Sequence, residues 1–595
     1  IDSLLDPKYT AKNDTFEFNV DFNVTSELTL TSQTGYNHDT LYSTEDFNRF
    51  NTAPGLFTPA NFYSSGLIGQ DGEFCDPQLG CSSRLVGEDV SQEHAYQFSQ
   101  ELRLASNFGG PLNFSVGGNF LHYQTVEDYY VFLNAISLLS EYENHYSVPF
   151  ALHNPFDPAA ANLCDPQPAT PENGLNGTFF GLGCGWVDPN PLSQIDGEGH
   201  NYFRSQNPYR LNSFAGFGEV YYQVAPDVKL TGGLRWTDDK KYFIEIPSWT
   251  ADAFKGYPVY GSLNQQWKEW TGRFVVNWTP KLDFTDQSLF YGSYSHGYKG
   301  GGANPPGVVP LCFGGTLCFS SPSNNTHPLD FKPEFVDAFE LGTKNTLLDG
   351  SMTLNGDVFY YKYQNYQISE IVDRTAINLN FDANVKGAEV EASWEPLPGL
   401  RLNFAGGYED ARLAGGSKAI DLMDRAAGHT DWLVVKPYVT QTSNCILPTY
   451  VVNELLASGN PQIGCLIAYG FGYDPVTQAP YVADPGSDAF GNPTPGYVGF
   501  DPNAIPAAAN SGQGFAKNLS GNQLPNSPPF TLSAGAQYSM PLSTDWVATA
   551  RADGYWQGNS FARIFNDKPY DQLHGYTNLN LTLIFTNQDG WQAMA

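Results

Sequence analysis

From about Asn13 to Asn587 the chain repeats one rhythm. Apolar and polar side chains alternate for roughly ten residues, a short turn follows, the alternation returns, and a long irregular loop closes the unit. Phe16, Phe18, Val20 and Phe22 would share one face of a strand, with Glu17, Asn19, Asp21 and Asn23 on the other. Phe98, Leu102 and Leu104 alternate with Ser99, Glu101 and Arg103. The chain reverses at Gly109-Gly110-Pro111, and Leu112, Phe114, Val116 and Phe120 then alternate with Asn113, Ser115, Gly117 and Asn119. After Pro226, Val228, Leu230, Leu234 and Trp236 point one way and Lys229, Thr231 and Arg235 the other. The pattern predicts about fifteen strands, with another beginning at Trp591.

The connections alternate in length. Short turns fall at Thr25, Gly109, Pro226, Asp349, Pro398 and Ser543, and long loops run over about 45–93, 130–208, 300–332 and 414–527. This is how a transmembrane antiparallel β-barrel reads, with short periplasmic turns and long outer loops. Only 15% of residues are charged, against about 25% in a soluble domain. No apolar run reaches the about 18 residues of a membrane helix, and of the structures that span a bilayer this leaves the closed barrel. Arg103 beside Glu101 suits a polar lumen. Trp236, Tyr360, Trp394 and Trp546, read as strand-end aromatics, suit interfacial girdles, with ordinary sheet packing as the alternative. A soluble propeller would show blade repeats of about 40–50 residues, and none is seen.

The formal net charge of −32 excludes nucleic acid, whose binding needs clustered Lys and Arg. The eight cysteines fall into four close pairs, each inside one long loop: Cys75 and Cys81, Cys164 and Cys184, Cys312 and Cys318, Cys445 and Cys465. Local disulfides suit such spacing and imply an oxidising compartment. No pair has CxxC spacing or a companion histidine cluster, so no metal site is expected.

No GxSxG, HExxH or phosphate-binding loop is present, and neither an enzyme nor a cofactor is expected. Glu389 and Glu391 share a strand face, as a lumen wall also predicts. Gly300, Gly301 and Gly302 follow Lys299 with no helix behind them, which reads as a flexible or tightly turned loop entrance rather than a phosphate cradle. Residues 449–458 have the composition of a short helix. The loop after Tyr129 and Tyr130 holds His145, Tyr146, His153, Trp186, His200 and Phe203. These offer stacking and chelating groups for a medium-sized solute, or loop-to-loop packing. Tyr298, near a strand end beside His296, joins the candidate binding set.

Five stretches carry a resemblance to a family. They are Phe98–Ser106 with the strand to Phe120; Phe214–Glu219 with Leu230–Asp238; Tyr291–Gly301; Pro333–Phe335 with Phe339–Lys344 and Asp357–Tyr361; and Asn384–Glu391. In this order and spacing the chain resembles the TonB-dependent receptors of Gram-negative outer membranes. The resemblance implies a 22-stranded barrel preceded by a plug domain and a TonB box. Residues 1–595 would then be one barrel domain incomplete at both ends: strand text starts beside Ile1, no plug appears in this sequence, and Ala595 falls short of the family's last strands. It also implies multi-pass placement in the outer membrane and uptake of a scarce solute, a ferric siderophore or other metal chelate. The implied partners are outer-membrane lipid and lipopolysaccharide, the TonB complex acting through a plug, the small-molecule ligand, and a surface lipoprotein or other outer-membrane protein. A passive pore or a structural component of an outer-membrane assembly is the alternative.

Overall fold

A computed structural model describes residues 6–48, 51–57, 68–69, 71–138, 190–194, 203–246, 249–250, 261–305, 311–313, 317–319, 329–372, 375–435, 445–450, 452–453 and 514–594. The alternating stretches form sixteen antiparallel strands, each paired with its neighbour in sequence. The first eight are β1 Lys8–Thr25, β2 Leu28–Asp46, β3 Gly87–Ser106, β4 Leu112–Leu133, β5 Phe203–Ala225, β6 Val228–Glu245, β7 Gly261–Trp278 and β8 Gln287–Lys299. The rest are β9 Glu334–Leu347, β10 Met352–Val372, β11 Thr375–Leu397, β12 Leu400–Leu413, β13 Phe530–Pro541, β14 Trp546–Gln557, β15 Tyr576–Asn587 and β16 Gln592–Met594. A two-residue strand, Trp249–Thr250, adds beside the start of β5. Among the described residues, β1 bonds only to β2 and β16 only to β15.

Because successive side chains on a strand point to opposite faces, the alternation sorts the wall into two surfaces. Leu234 is 64% exposed, Trp270 62% and Leu341 65%. Large apolar side chains left this open belong against lipid. The opposite face carries Arg235, Arg273, Glu219, Asp357 and Glu389 and lines the lumen. The expected split at β6, with Val228, Leu230, Leu234 and Trp236 outward and Lys229, Thr231 and Arg235 inward, is the one the register fixes.

Most strands run well past the about 9–11 residues a bilayer requires. β5 and β11 each have 23 residues. Two sequence expectations change for this reason. Trp236 and Tyr360 are not at strand ends, since β6 continues to Glu245 and β10 to Val372. Tyr129 and Tyr130 lie on β4 rather than in a loop.

The outer loops carry small hairpins of their own. Phe74–Asp76 pairs with Gly80–Ser82, and Cys75 is bonded to Cys81. The Asp76 carboxylate caps the turn by accepting the Gln78 and Leu79 amides at 2.8 and 2.9 Å. Leu311–Phe313 pairs with Leu317–Phe319, which sets Cys312 opposite Cys318. Cys445 opens a strand paired with Trp432–Val435. Cys164, Cys184 and Cys465 lie outside the described residues. Of the helix expected at 449–458, only residues 449–450 and 452–453 are described, and they are helical.

Candidate functional site

The outer mouth of the lumen is built from inward positions of β4 to β8. Tyr123 lies beside Tyr209, with ring centres 6.0 Å apart, and Tyr209 lies 5.0 Å from Phe243. Lys241 stands over the rings of Trp267 and Tyr209 at 5.3 and 5.9 Å. Strand register brings these side chains together, because Tyr209 pairs with Phe243 and Lys241 with Gln265. The result is an aromatic surface with a cation set into it.

Gly300 to Gly302 close this surface from β8. Lys241 donates to the Gly301 carbonyl at 2.5 Å, Gln265 to that of Gly302 at 3.3 Å, and Gln367 to that of Gly300 at 3.1 Å. A Cβ on Gly301 would fall 2.4 Å from the Phe331 carbonyl oxygen, and one on Gly302 2.4 Å from the Phe331 ring. The triplet is neither a cradle nor a turn but a close approach to Phe331, with Gly302 paired to it in a short strand, and a side chain at Gly301 would force the backbone to shift. Tyr298, next to last in β8, lies here: a Cβ on Gly300 would lie 3.3 Å from both its hydroxyl and the Lys241 ammonium.

A second region covers the inward faces of β10 to β12. Leu519, Leu524, Ile564 and Phe565 pack with Phe381, Ala383 and Leu413 into one apolar cluster, with Tyr363 and Tyr366 at its margin. Above it, Lys517 binds three carboxylates, Asp421 at 3.1 Å, Asp424 at 2.9 Å and Asp567 at 2.8 Å. Arg563 joins Asp421 and Asp571, each at 2.7 Å. The Asp421 side chain is fully buried. Burial alone would raise its pKa, but the bonds from Arg563, the Met423 amide and Lys517 outweigh that and hold it down at about 2. The same carboxylates keep the Lys517 ammonium protonated against its own burial. Glu370 lies 18 residues past the start of β10, beyond the membrane belt. Burial, and then the Asp421 charge, push it up to about 7 against the pull of Arg425 and Arg563.

Lower in the lumen the two walls differ in charge. On β5 and β7, Arg273 grips Glu219 through two bonds of 2.7 and 2.9 Å. On β8 to β11, Tyr291 donates to Glu340 at 2.5 Å, and Asp357 sits directly across from Glu389. Glu389 and Glu391 therefore share the lumen face, as their spacing required. Among the described residues no group of three or more His, Cys, Asp or Glu could hold a metal ion.

The sequence-predicted binding residues separate. Tyr129 packs against Val131, Leu133 and Ile136, and its hydroxyl donates to Asp89 at 3.2 Å. Tyr130 points to the other face of β4 and is buried among Val90, Phe132, Leu79 and Leu192. Phe203 begins β5, its backbone paired with Val131 and Thr250. Tyr298 reaches the mouth surface. His145, Tyr146, Trp186 and His200 lie outside the described residues. Tyr209, Lys241 and Trp267 were missed, although inward parity on β5 to β7 marks all three. Lys517, Asp421 and Arg563 leave no periodic signal, since they meet across three separate loop segments.

An antiparallel wall of this kind, apolar outside and charged inside, defines a membrane-spanning β-barrel. The model of the TonB-dependent receptor-like β-barrel family matches residues 2–595, and the chain belongs to that family. It is therefore a protein of the Gram-negative outer membrane, in a family of receptors and transporters rather than enzymes. The fold is similar to that of the ferric yersiniabactin uptake receptor of Yersinia pestis, with a TM-score of 0.53 and 11% identity over 98% of this chain and 55% of that one. A siderophore receptor of Acinetobacter baumannii matches at 0.48 with 14% identity, over 97% of this chain and 58% of that one. The ferric-catecholate import receptor of E. coli K12 matches at 0.47 with 12% identity, over 97% and 58%. The chain thus spans a little over half the length of these structures.

Proposed function

We propose that this barrel belongs to a receptor that captures a scarce metal chelate at its outer mouth and passes it inward, energised by TonB acting through a plug domain. The carrying observation is the mouth surface of Tyr123, Tyr209, Phe243, Trp267 and Lys241. Flat rings around a cation suit an anionic aromatic ligand, by stacking and by charge. A ferric chelate of catecholate type has that chemistry, and the structure similar at a TM-score of 0.53 is a receptor for a ferric chelate, ferric yersiniabactin. Hydroxamate chelates and cobalamin are the rivals within this class.

The test uses the full-length receptor in whole cells and in detergent. Ferric catecholate, ferric hydroxamate and cobalamin are titrated against tryptophan fluorescence. The expected result is saturable quenching by the catecholate, weakened about tenfold or more in Tyr209→Ala/Trp267→Ala, the loss of roughly 1.4 kcal/mol or more. Uptake should stop when a proton uncoupler is added. No binding of any chelate would overturn the substrate class. Uptake that continues under the uncoupler would overturn energised transport and leave a passive pore.

A further inference from the structure

Residues 300–304 form a strap at the outer mouth. The pairing of β7 with β8 ends at Gly272 and His296, and the chain beyond β8 pairs instead with its own return, Gly302–Ala303 against Asp330–Phe331. The strap is tied to the wall on two sides, and the ties differ. On the β10–β11 side they are reciprocal and neutral. The Asn304 side chain donates to the Asn378 carbonyl at 3.0 Å and accepts the Asn378 amide at 2.7 Å. The Asn380 side chain accepts the Lys332 amide at 2.7 Å and donates to the Lys332 carbonyl at 3.1 Å. Gln367 donates to the Gly300 and Lys332 carbonyls, each at 3.1 Å.

On the β6–β7 side the strap hangs on two side chains. Lys241 donates to the Gly301 carbonyl at 2.5 Å and Gln265 to that of Gly302 at 3.3 Å. The second bond is long, and the same side chain leaves its Oε1 buried with no hydrogen-bond partner among the described residues, which costs the closed strap free energy. Lys241 therefore carries this side. It is also the cation of the ring surface, standing over Trp267 and Tyr209. An ionised oxygen adds Coulomb attraction to the hydrogen bond that a neutral carbonyl accepts. An anion laid on these rings competes with Gly301 for the ammonium, whereas a neutral ligand stacks without that competition.

We propose that Lys241 reads the charge of the bound solute through this strap. An anionic ligand draws the ammonium off the Gly301 carbonyl, and residues 300–303 leave β6 and β7 while Asn304 stays on β11. Release also opens Gln265 Oε1 to a hydrogen-bond donor. The inference rests on the mouth surface being the solute site, and it adds to that reading a specificity-determining residue and the group it selects, an ionised oxygen.

The test is hydrogen exchange of the full-length receptor in mild detergent, read over residues 300–303 and 375–382, with heat-modifiable gel mobility reporting that each variant is folded. The first comparison needs no ligand. Lys241→Met should quicken exchange of 300–303 by roughly tenfold or more, and Lys240→Gln, on the outward face of β6, should not. The second adds an anionic ferric tris-catecholate or a neutral ferric tris-hydroxamate, with occupancy read from tryptophan fluorescence. The catecholate should quicken 300–303 in the native receptor, leave 375–382 unchanged and add nothing in Lys241→Met. The hydroxamate should leave the strap protected. Unchanged exchange in unliganded Lys241→Met would overturn the latch. A catecholate that quenches fluorescence yet leaves 300–303 protected, or a hydroxamate that frees the strap equally, overturns the charge reading and leaves the mouth site standing. If neither chelate binds, the mouth site fails and the charge reading with it, while the unliganded variant still decides whether Lys241 holds the strap.

Discussion

At the residue scale the outer mouth depends on two kinds of constraint. One is space. Gly301 lies so close to Phe331 and Trp267 that a methyl group forces the backbone to move. Gly301→Ala should therefore release residues 300–304 from the Lys241 and Gln265 bonds. The expected result is faster hydrogen exchange in that segment and weaker chelate binding, with the barrel's gel mobility unchanged. The other constraint is charge. Asp421 joins Lys517 and Arg563 from a fully buried position. Removing one partner of a buried pair commonly costs about 3–5 kcal/mol. Asp421→Asn should open the cover over β10 to β12, read as protease cleavage within residues 414–435 while the wall stays resistant. Little of this was legible beforehand. Gly301 stood out as one of three consecutive glycines, but its reason lies in Phe331, thirty residues away. Asp421 and Lys517 are unremarkable in sequence because their meaning is the distance between them.

At the element scale the strands are longer than the membrane needs, and their outer ends carry the candidate site. The alternation that marks a strand in lipid weakens above it, where loops cover both faces. That is why β4 could not be followed as far as Tyr130, which is covered by Leu79 and Leu192. The cover also gives the loops a pH dependence. Glu370 is raised from its ordinary value to about 7, so between about pH 4.5 and 7 the closed cover holds a proton that the open one releases. Stability from this group is full below pH 4.5 and is lost as pH rises through 7. Asp421 is depressed to about 2, so its contribution is present above about pH 4 and is lost as pH falls through 2. Hydrogen exchange of residues 414–435 should therefore quicken from pH 5 to pH 7.5 beyond the intrinsic base-catalysed rise. Glu370→Gln should flatten that excess. An equal excess in the variant would remove Glu370 from the explanation.

At the scale of the whole molecule, one register runs from β1 to β16 and turns a local alternation into an inside and an outside. The outer loops repeat a smaller motif within it. Cys75 and Cys81, six apart, face each other across a two-stranded hairpin and are bonded. Cys312 and Cys318 have the same spacing and the same register. Non-reducing peptide mapping of the native protein should find both links, and free thiols at 312 and 318 would refute the second. The sequence by itself determined the fold class, the membrane, the side on which the loops lie and the face each strand residue takes. All of these follow from period-2 alternation and turn chemistry, which act between neighbours along the chain. Only the tertiary structure decided that Tyr209, Lys241 and Trp267 form one surface and that Lys517 gathers three aspartates. Those arrangements arise from strand register and loop closure, which join residues that sequence spacing keeps apart.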